Sequence, residues 1–174
     1  MSHVLPSVRS AADASIHPRS FDHPDSVRLL RAYAEERREM VGFDDPPDLD
    51  KPYEYEPPSG LFVVAYSPSG AAIACGGYRT YRAQTNVAEV RKMYVAPGSR
   101  RLGLSRRVLQ ELEHHAAGSG AVRMILETGS YNHAATRLYA SAGYESIPPY
   151  VAGRPAFNRA YAKQLSAAQT RKDE

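Results

Sequence analysis

Six residues in the middle of the chain, Arg100-Arg101-Leu102-Gly103-Leu104-Ser105, are of the types that hold phosphate. They follow an apolar run through Tyr94 and Val95 and precede an amphipathic stretch, so Gly103 falls in a turn that opens a helix. Glycine lets the main chain come close to a ligand without a Cβ in the way. The first amides of a helix have no intrahelical acceptor, and the aligned peptide dipoles place about half a positive charge at that end. A diphosphate suits that chemistry. Arg100, Arg101, Arg106 and Arg107 supply cations nearby. A plain strand-to-helix turn with a surface arginine cluster accounts for the same residues, and the loop alone does not separate the two readings.

Other chemistry finds less support. No G-x-x-x-x-G-K-[ST] run and no G-x-G-x-x-G after a first strand occurs, which argues against a P-loop nucleotidase and a dinucleotide fold. No G-x-S-x-G elbow is present, and the lone Cys75 lies inside an expected strand. His114, His115 and His133 lack metal-ligand company, so no metal site is expected and a solvated helix face accounts for the histidine pair. The acidic set Asp44, Asp45, Asp48 and Asp50 lacks the glycine and terminal glutamate of a calcium loop. It reads as a solvated, proline-rich loop, or as a patch that attracts cations.

The elements that would position these residues follow from periodicity. Residues 1–13 show none and are expected to be a loose arm. A short edge strand fits Ser15 to Phe21, limited by Pro18. Asp22 to Asp25 reads as a helix start, and Val27, Leu30, Tyr33, Ala34 and Val41 then recur at helical spacing. Leu61–Tyr66 and Ala71–Tyr81 flank a four-residue turn and read as a hairpin. Strand Val87–Val95 leads into the glycine turn and a helix over 104–117, with Leu104, Val108, Leu112 and Ala116 on one face. A nearly all-apolar strand, Ala121–Glu127, suggests cover on both sides. A helix over 132–142 stops at Gly143, and two strands fit in 144–165. The order β-α-β-β-β-α-β-α-β-β is mixed α/β, an antiparallel hairpin half joined to a β-α-β half.

Bulk properties set bounds. With 174 residues one domain spanning 1–174 is expected, and 43% hydrophobic content is that of a globular chain. No apolar run approaches the roughly 20 residues of a membrane span. With no signal-like leader and one cysteine, a cytoplasmic location is expected. The net charge is only +3, and the 22 basic residues are spread along the chain, so neither nucleic acid nor membrane is an expected partner.

The run from Glu89 to Tyr144 resembles the GNAT superfamily of acetyl-CoA-dependent N-acetyltransferases. The family loop Arg/Gln-x-x-Gly-x-Gly/Ala is matched by Arg100 to Ser105, and its Val-x-Pro lead-in by Val95-Ala96-Pro97. The later Asn-x-x-Ala-x-x-Leu-Tyr-x-x-x-Gly-Phe/Tyr pattern is matched by Asn132, Ala135, Leu138, Tyr139, Gly143 and Tyr144. Two positions depart: Arg101 stands where glycine is common, and Ser105 where Gly or Ala is usual.

The resemblance implies a GNAT-like, mostly antiparallel central sheet flanked by helices, with a splayed parallel β4/β5 pair that receives acetyl-CoA as co-substrate. It places the pantetheine arm against Met93, Tyr94 and Val95, and the diphosphate on the 100–105 loop. Asn132 would contact the pantetheine or order the second helix. Tyr139 would lie beside the coenzyme sulfur, where a phenol can protonate a departing thiolate. The acceptor would be a primary amine of a small molecule or peptide, which must be neutral to react. At pH 7 that costs about 4.6 kcal/mol for a lysine-type amine and about 1.4 kcal/mol for an α-amino group. Glu89, on the strand bordering the cleft, is the candidate base, acting through water; a structural carboxylate is the alternative. A coenzyme-binding domain without turnover fits the same motifs. A monomer or a homodimer is compatible with the chain, with Tyr150 and the 148–158 loop as contact surfaces.

Overall fold

The computed structural model describes residues 8–43 and 50–166. Seven strands form one sheet in the order β1-β2-β3-β4-β5-β7-β6. In chain order the elements are β1 (Ser15–Pro18), α1 (Pro24–Val41), β2 (Gly60–Tyr66), β3 (Ala72–Tyr81), β4 (Gln84–Val95), α2 (Leu104–Gly118), β5 (Arg123–Gly129), α3 (His133–Ser141), β6 (Glu145–Ile147) and β7 (Asn158–Gln164). Their order is the one expected from periodicity. All neighbouring strands run antiparallel except β4 and β5.

Strand alternation sorts side chains onto the two faces of the sheet. On one face α2 buries Leu104, Val108, Leu109, Leu112 and Ala116 against Leu61, Val63, Ala74, Val90, Met124 and Leu126, and Tyr139 and Tyr144 complete the layer. Gly76 makes that approach possible, because a Cβ there would lie 2.5 Å from Met93 Sδ and 2.9 Å from Val108 Cγ1. On the other face α1 and Tyr55 cover Phe62, Val64, Cys75 and Tyr94.

Helix α1 is rotated relative to its apolar pattern. Ser26 and Leu29 are its buried residues, Leu30 and Tyr33 pack beside them, and Ala34 is exposed. Ser26 tolerates burial because its hydroxyl donates to the Ser20 carbonyl at 2.8 Å. Strand β1 ends at Pro18, three residues short of Phe21, since proline cannot extend the ladder. Beyond it Arg19 N–H still donates to the Phe62 carbonyl at 3.0 Å. Residues 11–13 form a 3-10 turn docked on the glycine loop: Ala11 N–H donates to the Leu102 carbonyl at 2.8 Å, and the Arg107 guanidinium donates to the Ala11 and Ala14 carbonyls. His115 also has an inward role. Its Nδ1 lies 2.7 Å from the buried Tyr78 hydroxyl, so a solvated face describes His114 but not His115.

Candidate active site

The two parallel strands part company early. Pairing between β4 and β5 covers only Val87 with Arg123, Ala88 with Met124 and Glu89 with Ile125. Beyond Glu89 the strands diverge, leaving a wedge-shaped gap in the sheet. A bulge in β4 helps open it: Gly77 pairs with Arg91 and Cys75 with Tyr94, so Lys92 and Met93 together oppose the single residue Gly76. Lys92 takes the extra bend at φ 58°. Met93, Tyr94 and Val95 thus border the gap, on the part of β4 that has no β5 partner.

The glycine loop sits past the end of β4. Gly103 has φ 83° and is the N-cap of α2. That left-handed conformation, rather than crowding, is why glycine belongs here, since the nearest atom to an added Cβ, that of Ala11, would be 3.6 Å away. The first bond into α2 runs from Arg107 N–H to the Gly103 carbonyl at 3.1 Å. The Leu104, Ser105 and Arg106 amides ahead of it have no helical acceptor, and no side chain caps them. Arg101 is also left-handed, at φ 64°. The position where the family often carries glycine is therefore one whose backbone favours glycine.

The four arginines are not equivalent. Arg100 donates from Nε to the Val95 carbonyl at 2.9 Å and pairs with Glu36 of α1 at 2.6 Å. Arg106 reaches Ser141 of α3, and Arg107 holds the Ala11 turn. Arg100, Arg101 and Arg106 are exposed, and of the four only Arg101 has no partner among the described residues. Three of the arginines tie the loop to its surroundings.

Tyr139 is 5% exposed on α3, beside Tyr144 with ring centroids 5.6 Å apart and Tyr161 at 6.4 Å. Burial drives its phenol pKa well above the usual range, and the Tyr33 phenol adds to the shift. Tyr33 belongs to α1 on the opposite face. Asn132 is the N-cap of α3, its Oδ1 accepting from Ala135 N–H at 3.1 Å. Of the two roles expected for Asn132, ordering the helix is the one its contacts display.

Glu89 lies on the α1 face, 2% exposed. Oε2 accepts from Arg79 Nε at 3.2 Å, and Oε1 accepts from the Tyr150 hydroxyl at 3.1 Å, with Arg91 at 3.8 Å. Asp50 closes the network: its side chain is 9% exposed, pairs with Arg91 at 3.2 Å and Lys92 at 3.0 Å, and accepts from the Tyr55 hydroxyl. Burial alone would raise the Asp50 pKa; the Arg91 and Lys92 charges outweigh it and hold the carboxyl near 2. Asp50 is thus an ion-pair centre and not part of a solvated loop; Asp44, Asp45 and Asp48 lie outside the described residues. Tyr150, expected as a contact surface, turns its hydroxyl inward to Glu89.

Sequence reasoning missed Arg79, Arg91, Glu127 and Arg154, although alternation held a signal. Glu89 and Arg91 occupy successive positions on one face of a strand whose other face is apolar, a pattern that announces buried charge pairs. Cys75 is inert by comparison; burial pushes its thiol up to about 12. Among the described residues no group of three or more His, Cys, Asp and Glu is placed to hold a metal, and no helix is long and apolar enough to cross a membrane.

A parallel strand pair that splays beside a glycine-headed helix defines the acyl-CoA N-acyltransferase type of fold. The chain superposes on a Klebsiella pneumoniae structure assigned to the acyl-CoA N-acyltransferases with a TM-score of 0.75 at 24% identity, covering 89% of this chain and 99% of that one. A GNAT-family acetyltransferase from Staphylococcus aureus gives 0.68 at 16% identity, over 87% and 100%. An uncharacterised N-acetyltransferase of Schizosaccharomyces pombe is 30% identical over 131 residues, 74% of this chain and 80% of that protein. An IAA acetyltransferase of Azospirillum brasilense is 31% identical over 93 residues, 53% of this chain and 60% of its length. The acetyltransferase (GNAT) family model matches residues 27–144. The chain belongs to the GNAT acetyltransferase family.

Proposed function

We infer that the chain transfers an acetyl group from acetyl-CoA to a primary amine of a small molecule or peptide. One observation carries this reading: the left-handed Gly103, with uncapped amides behind it, stands beside the gap where β4 leaves β5. In this account the amides of Arg101, Leu102, Gly103, Leu104 and Ser105 grip the diphosphate, and the Arg101 side chain adds a charge-assisted contact. Arg100 acts indirectly, holding the loop to Val95 and Glu36. Main-chain groups of Met93, Tyr94 and Val95 bind the pantetheine arm and the acyl carbonyl, and Asn132 holds the start of α3.

Acetyl-CoA supplies an acyl group activated as a thioester. The residues around it manage protons while the C–N bond forms and the C–S bond breaks. Tyr139, kept protonated by burial, gives its hydroxyl proton to the departing sulfur and regains one from solvent. Glu89 is the terminal acceptor of the amine proton. Arg79 occupies one of its oxygens, so the path runs through the Tyr150 hydroxyl, which takes the amine proton as it passes its own to Oε1. The buried, lone Cys75 fits a reducing, cytoplasmic setting.

A coenzyme-binding domain without turnover is the second reading. The engagement of both Glu89 oxygens favours it. Melting with acetyl-CoA, followed by thiol release across amino acids, polyamines, aminoglycosides and peptides, separates the two. Stabilisation with thiol release is the expected outcome; stabilisation with silence across the panel leaves the binding domain, and no stabilisation removes both.

A further inference from the structure

Three buried side-chain oxygens lack a hydrogen-bond partner among the described residues: Glu113 Oε1, the Tyr144 hydroxyl and Glu127 Oε1. The first two are neighbours: burial raises the Tyr144 phenol pKa, and the Glu113 carboxylate beside it raises it further. Glu127 Oε1 has no such neighbour. Its side chain is nine-tenths buried, 9% exposed, and only Oε2 is engaged, accepting from Arg154 Nε and its terminal nitrogen at 3.0 Å each.

Position gives this oxygen its meaning. Ile125 is the last β5 residue paired with β4, and Glu127 follows two residues later on the same face, just where the gap begins. Ile125 packs there with Val87, Ala162 and Tyr150. The Glu127 charge is close enough to raise the Tyr150 phenol, after burial and Glu89. Yet the single hydroxyl hydrogen of Tyr150 is given to Glu89 Oε1. A buried carboxylate oxygen thus belongs to a residue just past the last β4–β5 pair, on the α1 side, with no donor among the described residues.

We propose that Glu127 Oε1 anchors the acceptor: a cationic primary amine enters from the α1 face and donates an N–H to this oxygen, while Arg154 fixes Oε2. The inference rests on the acetyl-transfer reading for its meaning, but it concerns binding alone. Arg79, Arg91 and Arg154 are each already paired with a carboxylate, so the unmet demand at this mouth is for a cation that donates hydrogen bonds. A neutral alcohol of the same shape meets it poorly.

The test uses the full chain saturated with coenzyme A, which carries no acyl group and permits no turnover. Calorimetric titration with hexylammonium, spermidine and tyramine chlorides, and with hexanol as the neutral control, should show saturable binding of at least one ammonium and none of hexanol. Glu127→Gln should weaken that binding tenfold or more and leave coenzyme A affinity unchanged. Equal affinity in Glu127→Gln, or no ammonium bound by the unaltered chain, overturns the proposal. Should Glu127→Gln fail to fold, Arg154→Ala decides: with Oε2 released, ammonium binding should hold or tighten, and its loss overturns the proposal. Binding without turnover in a later acetyl-CoA assay would leave the anchor standing and remove the transferase reading.

Discussion

The two rims of the sheet gap are built from different materials. On the α2 rim the work falls to backbone: a left-handed glycine, uncapped amides and a strand bulge, held in place by Arg100, Arg106 and Arg107. On the α1 rim it falls to side chains, with Asp50, Arg79, Glu89, Arg91, Glu127 and Arg154 paired in a partly buried web. The first rim is made of main-chain geometry set by local sequence. The second has charges whose arrangement depends on which loops face one another, so it can differ between family members while the fold stays the same.

The contrast predicts that single changes on the charged rim cost the most stability. Arg91→Ala leaves Asp50 short of a buried partner and should destabilise by about 3–5 kcal/mol in urea unfolding. Arg101→Ala, on an exposed side chain without a described partner, should leave the same curve within about 0.5 kcal/mol. Equal effects would erase the distinction between the rims.

Between them stands Tyr139. If it is the acid, Tyr139→Phe should lower kcat about 100-fold with little change in coenzyme affinity. Unchanged turnover would reduce it to a packing residue.

Acid should strike the charged rim first. Asp50 has its pKa depressed from 3.8 to about 2, so it contributes stability that is present above pH 4 and fades as pH falls from about 4 to 2. The loss should approach about 2 kcal/mol in unfolding measured against pH. Asp50→Asn should flatten that part of the profile; an unaltered profile would place the acid sensitivity elsewhere.

The smallest stability effects belong to the backbone rim. Gly103→Ala should cost about 1–2 kcal/mol from left-handed strain. Arg101→Gly should be near neutral, since strain relief is offset by the freedom of glycine in the unfolded chain. Its effect should appear instead as weaker acetyl-CoA binding, which titration would measure; unchanged affinity would deny Arg101 a phosphate contact.

The same contrast explains what could be read from the sequence. Gly103, the flanking strand and α2 are local features. Their order, spacing and capping lie within the one continuous stretch Gln84–Gly118, and the order of all ten strands and helices follows from the sequence pattern. The charged rim is assembled from the 50, 79, 89, 127 and 154 regions, and nothing local records that Asp50 lies beside Arg91 or that Arg154 finds Glu127. The rotation of α1 was hidden for a related reason. Which stripe of an amphipathic helix is buried depends on the sheet beneath it, and here a serine with a backbone partner occupies the buried side.

Calorimetric titration of the unaltered chain with acetyl-CoA, alongside Gly103→Val, tests the central claim most directly. The account predicts saturable one-to-one binding by the unaltered chain and its loss in Gly103→Val, with Glu127→Gln binding as the unaltered chain does. Absence of binding by the unaltered chain, or full affinity in Gly103→Val, would contradict it.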